Sequence, residues 1–180
     1  NDIRELGQFT PAIRSLVAFN TDSDVNSTVR TNGVLVAQIT PRGGTITGTS
    51  SILHFDAWNW EDAIIKKDDA IHLNWPRMYQ RDWRNGGIKA NENYTKQVAE
   101  IKDYVLKAQA YSKIDNKVID LNMEAMKGLF DGSKRLFVSS DFVKEINDVI
   151  TFKKEMNLQH VAIVGGYDSW MVAPRLKENN

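Results

Sequence analysis

The chain has 180 residues, 42% of them hydrophobic and 26% charged, an ordinary globular composition that excludes disorder and fibrous repeats. Its 23 Lys and Arg balance 23 Asp and Glu. The basic surplus that grips phosphates is therefore missing, and no nucleic-acid partner is expected. No apolar run approaches the roughly 20 residues needed to span a bilayer, and the absence of Cys removes disulfides, thiolate nucleophiles and zinc ribbons together.

The predicted elements run as follows. Ile13, Leu16, Val17 and Phe19 suggest a short amphipathic helix opening near Pro11, a residue tolerated in a first helical turn. Asp24 is placed to cap a second helix through Arg30, which Gly33 would end. The β-rich run Val34 to Ile39, bounded by Gly33 and Pro41, reads as a buried strand. Arg42 to Ser51 mixes glycines with threonines and reads as a loop, with another short strand from Ser51 to Phe55. Residues 56–91 show no long periodic element but hold Trp58, Trp60, Trp75 and Trp83, and Asn85-Gly86-Gly87 reads as a turn. The whole of 42–91 is therefore expected to be a loop-rich, tryptophan-rich insertion.

The second half is more regular. Val98, Ile101, Val105 and Ala108 give a helix over about 92–111, and Leu121, Ala125, Met126 and Leu129 give another, closed by Gly132. Leu136-Phe137-Val138 is a strand, followed by a helix carrying Val143, Ile146, Val149 and Ile150 with Asp141 as its cap. His160 to Val164 is the next strand, and Asp168 would cap a last helix interrupted by Pro174. Strand and helix alternating at this spacing predict an α/β fold with a parallel sheet and flanking helices.

Motifs with a chemical mechanism are sparse. The glycine run 43–48 lacks the Lys of a P-loop and the spacing of a dinucleotide fingerprint, so a structural turn is the simpler reading. His54, His72 and His160 form no short chelating pair. No G-x-S-x-G elbow is present, although Ser139-Ser140 close a strand at the end where α/β folds keep their sites. Asp68-Asp69 and Glu61-Asp62 read as solvated helix-start charges rather than a carboxylate dyad. Trp58, Trp60 and Trp75 either pack the insertion onto the sheet or, together with His72, offer a binding face. A carbohydrate-binding module using Trp58 and Trp75 is one alternative function.

The stretch from Arg30 to Ser51, with Gly33-Val34, Pro41, Gly43-Gly44, Ile46, Gly48 and Ser51 at fixed offsets, resembles a segment of imidazolonepropionase-like amidohydrolases. These are metal-dependent hydrolases of the TIM-barrel type. Residues 56–62, 71–76, 136–146 and 160–170 are similar to the same family. The resemblance implies a partial (β/α)-barrel, with 1–180 a single but incomplete domain, because a whole barrel takes about 250 residues. It also implies that the parent hydrolyses C–N bonds, amide or cyclic amide, with metal-activated water. The family's His-x-His pair would lie upstream of residue 1 and a metal-binding Asp downstream of residue 180.

Two ligand positions implied by the resemblance fall inside the chain, and both are changed. Ser139 stands where the family often has a His after Val138, and Gly165 where it often has a His after Val164. With no catalytic residue and no metal ligand assigned in this chain, it is expected to be inactive alone. A zinc-like divalent metal is expected only if the full-length parent is active. The alternative is a family member that has lost its metal and keeps a binding or scaffold role. Expected partners are the remainder of its own chain and further copies of itself, since a barrel cut part-way exposes sheet edges. The chain opens on Asn1 rather than Met, so a signal segment would not be visible, and a secreted or periplasmic bacterial location stays open.

Overall fold

In a computed structural model of the protein, residues 6–82, 86–115 and 118–179 are described. Trp83 and Asn85, singled out in the sequence, lie outside them. Five strands form the main sheet: β1 (Val36–Ile39), β2 (Ile46–His54), β3 (Ile64–Asn74), β6 (Arg135–Ser140) and β7 (Val161–Gly165). They lie in the order β1-β2-β3-β6-β7. Two short strands, β4 (Tyr79–Arg81) and β5 (Ile88–Ala90), pair separately.

The sheet is mixed, not parallel throughout. β1–β2 and β2–β3 are antiparallel, whereas β3–β6 and β6–β7 are parallel. The connections explain the difference. β2 and β3 are joined by residues 55–63, too few for a crossover, so the chain returns antiparallel. β3 reaches β6 through helices α2 (Tyr94–Ser112) and α3 (Leu121–Met126), and β6 reaches β7 through α4 (Val143–Glu155), both long enough for a crossover.

The segment 42–91 departs most from its loop-rich expectation, because it contains the two longest strands. β2 is built from Thr, Gly and Ser and yet is buried along most of its length. β3 carries Lys66-Lys67-Asp68-Asp69, which lie within the strand and not at a helix start. Asp68 takes φ 51° and pairs with Arg14 at 2.9 Å. Asp69 is buried and ion-paired with Lys66. The opposite correction applies to Val34 to Ile39. Its strand is short, lies at the sheet edge, and leaves Leu35 63% exposed.

Helix ends differ in their caps. The helix α1 (Asp24–Thr31) is capped by Ser23, whose hydroxyl accepts from Val25 N, rather than by Asp24. Asp141 makes no cap hydrogen bond to α4. Instead Asp168, from the far side of β7, accepts Val143 N–H at the start of α4. Pro174 sits in the first turn of α5 (Ala173–Glu178) and so opens that helix rather than breaking it. The amphipathic start expected near Pro11 shrinks to a 3-10 turn at Ser15–Ala18.

The main core lies between the helices and one face of the sheet. Ile71, Leu73, Leu136 and Val138 from the strands meet Ile101, Val105, Met126, Val149 and Phe152 from the helices. Trp75 belongs to this core. Its ring meets Phe152 edge-on, and Nε1–H donates to Tyr94 Oη at 3.0 Å. The buried Glu145 ties the loop after β3 to the start of α4. Its carboxylate accepts Met78 N–H at 2.9 Å and Asp141 N–H at 3.4 Å. The helices thus cover one face of the sheet and leave the other concave and open.

Candidate functional site

Register decides which side chains share the open face. Asn74, Ser139 and Val164 stand side by side across β3, β6 and β7. Two residues back along each strand, His72, Phe137 and Ala162 form a second row. Because strand side chains alternate, both rows point away from the helices. The alternate rows, Leu73-Val138-Ile163 between them and Ile71-Leu136-Val161 below, enter the core.

The open face forms a concavity of about 650 Å³ near the C-terminal ends of the parallel strands. Gln38, Arg42, Thr47, His72, Asn74 and Ser139 supply its polar lining, and Phe137 and Val164 part of its apolar floor. Asn74 also shapes the rim. Its Nδ2 donates to the Gly43 and Gly44 carbonyls at 3.3 and 3.0 Å. Gly44 has φ 46°, and a Cβ there would sit 2.6 Å from the Gly7 carbonyl oxygen, so this turn needs glycine.

His72 is held from below. Its Nε2 lies 2.8 Å from Ser50 Oγ, which is itself within hydrogen-bond reach of the Ala70 carbonyl. The hydroxyl has one proton to give, to His72 Nε2 or to the Ala70 carbonyl, and the imidazole tautomer follows from that choice. Gln38 Nε2 donates to the same hydroxyl at 3.1 Å and reaches Asp69 Oδ2 at 3.5 Å. Burial lowers the His72 pKa, and the Asp69 charge only partly offsets this, so the ring is held neutral. The ring also packs on Phe137, with centroids 5.2 Å apart.

Of the residues singled out in the sequence, His72 and Ser139 come together on this face. Gly165 does not join them. It pairs with Ser140, one residue beyond the Ser139 row, and takes φ 90°. A Cβ at Gly165 would run into the Asp141 carboxylate, which Arg77 holds at 3.0 Å. The tryptophans are scattered. Trp75 is only 4% exposed, and Trp60 packs against the small cluster of Leu16, Leu53 and Ala63. Trp58 is 92% exposed and borders a separate hollow with Arg30 and Asp56. A carbohydrate platform shared by Trp58 and Trp75 is therefore corrected: a ring buried in the core cannot stack on a sugar.

The divalent metal implied by the resemblance does not fit the donors at this end of the sheet. Ser139 offers a hydroxyl, its neighbour Val164 an aliphatic group, and Gly165 nothing. Among the described residues no three His, Asp or Glu side chains converge. Gln38, Ser50 and Asn74 escaped the sequence reading. A lone amide in an apolar strand, and an Asn two places after His72 at a strand end, are the signals that mark them.

No protein-family profile matches the sequence, and no curated protein matches it. Among solved structures, an amidohydrolase from Thermotoga maritima is similar over 98% of this chain, with a TM-score of 0.82 and 17% identity. The chain spans 49% of that protein's length. The fold is accordingly similar to about half of that protein's, a curled half-barrel sheet with helices on its outer face.

Proposed function

We propose that this chain is a portion of an amidohydrolase-like protein in which the open face of the half-barrel serves binding rather than metal-dependent hydrolysis. One observation carries the reading. The strand ends that line the concavity present Asn74, Ser139 and Val164 in one row, with the side-chain-free Gly165 next along β7. That row can hydrogen-bond a polar molecule but offers no set of nitrogen or carboxylate ligands. His72, held at Nε2 by Ser50, adds an imidazole to the same face. The chain alone is inactive on this reading.

A second reading is favoured by the fold likeness over nearly the whole chain. In it, the full-length parent hydrolyses C–N bonds with metal-activated water, its ligands lying outside residues 1–180. Elemental analysis of the full-length protein, paired with an amide-hydrolysis assay, separates the two. Absence of both metal and turnover is expected. Stoichiometric metal with turnover would overturn the binding reading in favour of the second.

A further inference from the structure

We propose that the concavity takes a small polar molecule bearing an oxyanion, a carboxylate or a phosphate, anchored by Arg42. The inference deepens the binding reading above and rests on it. Among the described residues Arg42 is the one charged side chain lining the concavity, and no carboxylate lines it. Arg14, Arg30 and Arg77 are each held by an aspartate, whereas Arg42 forms no ion pair among the described residues. A guanidinium on the rim of a polar hollow, with its fork of donors uncommitted, matches the geometry of an oxyanion.

A second observation is independent of charge. Thr47 lines the same concavity and is only 3% exposed, yet its hydroxyl has no hydrogen-bond partner among the described residues. A buried, unpartnered hydroxyl costs stability unless something satisfies it, and a ligand oxygen would do so if a small shift of the lining opens the Thr47 hydroxyl, which is closed to solvent here, to the concavity. Ser139 and Asn74 add a hydroxyl and an amide for the rest of the molecule. Phe137 and Val164 form the apolar part of the floor, which suits a small carbon skeleton better than a bare ion.

The test is a titration of the full-length protein with succinate, inorganic phosphate and the uncharged succinamide, followed by amide chemical shifts. Saturable shifts confined to residues 42–47, 72–74 and 137–139 are expected with at least one of the two anions and not with succinamide. Response to succinate alone assigns a carboxylate, and response to phosphate alone assigns a phosphate. Arg42→Gln should weaken binding roughly tenfold or more. Thr47→Val, which removes an unpaired hydroxyl and so should not unfold the protein, should weaken it too. Arg175→Gln, at a side chain bonded to Asn147 on α4, should leave it unchanged. Succinamide binding as well as succinate, no response to either anion, or full binding by Arg42→Gln would each overturn the proposal. None of these readouts uses turnover or metal content. A metal-bearing, active parent would therefore sink the binding reading without deciding this one.

Discussion

At Gly165 two independent restraints meet. The backbone at φ 90° disfavours any side chain, and the space where a Cβ would stand is taken by the Asp141 carboxylate. Asp141 is not free to swing aside without loosening Arg77. Gly165→Ala should therefore cost about 1–3 kcal/mol, read as a lower urea midpoint at unchanged slope. Gly165→His should cost at least as much and gain no metal, which elemental analysis checks. His72 makes a different prediction. Its folded pKa lies below the unfolded value of 6.5, so the unfolded chain takes up the proton first. The neutral ring's contribution is complete above that value and is lost as pH falls from it toward the folded pKa. Urea midpoints at neutral and mildly acidic pH should diverge more for the native protein than for His72→Gln. Equal divergence would show that His72 is not desolvated.

The elements divide by how plainly their burial shows in the residue pattern. Helices α2 and α4 and strands β6 and β7 repeat apolar residues at the period of their structure, and each was legible in the sequence to within a few residues. Strand β2 was legible only in its second half, read as Ser51 to Phe55, because Thr49, Ser50 and Ser51 are buried through hydrogen bonds rather than apolar contact. Thr49 Oγ1 donates to the Pro11 carbonyl, and Ser51 Oγ accepts from Asp68 N. Strand β3 was hidden by its charges, of which Asp68 pairs with Arg14 and Lys66 pairs with Asp69 within the strand. The candidate site was half legible for the same reason. His72 and Ser139 stood out by type, whereas Gln38 and Asn74 matter only through the register that brings them beside those two. Two tests belong at this scale. Asp168→Ala removes the carboxylate that caps α4 from outside the helix and should cost about 1 kcal/mol, seen as a lower Tm. Trp75→Ala should cost about 3–5 kcal/mol through the cavity it leaves. Trp58→Ala, at a ring in solvent, should stay within about 0.5 kcal/mol; a large loss there would place Trp58 in an interface.

For the molecule as a whole, the two outermost strands govern behaviour in solution. Among the described residues β1 and β7 each pair on one side only, and both lie beside exposed apolar residues. Val34, Leu35 and Val36 flank one edge; Val164, Tyr167, Trp170 and Met171 flank the other. Such edges invite pairing with another strand. Residues 1–180 in isolation should therefore self-associate, giving a scattering mass that rises with concentration. Trp170→Ser should shift that equilibrium toward monomer. A flat dilution series at monomer mass would remove the expectation.

The change from antiparallel to parallel pairing at β3 has a kinetic consequence. The β2–β3 hairpin closes the loop 55–63, and β6–β7 encloses only α4 and its short connections, so each can form from chain nearby. The seam between β3 and β6, running from Ala70–Arg135 to Asn74–Ser139, closes the longest loop in the main sheet. Closing a long loop is entropically dearer and slower than closing a short one. The two rows of the concavity cross this seam, so loop closure predicts that His72 and Asn74 meet Phe137 and Ser139 late in assembly.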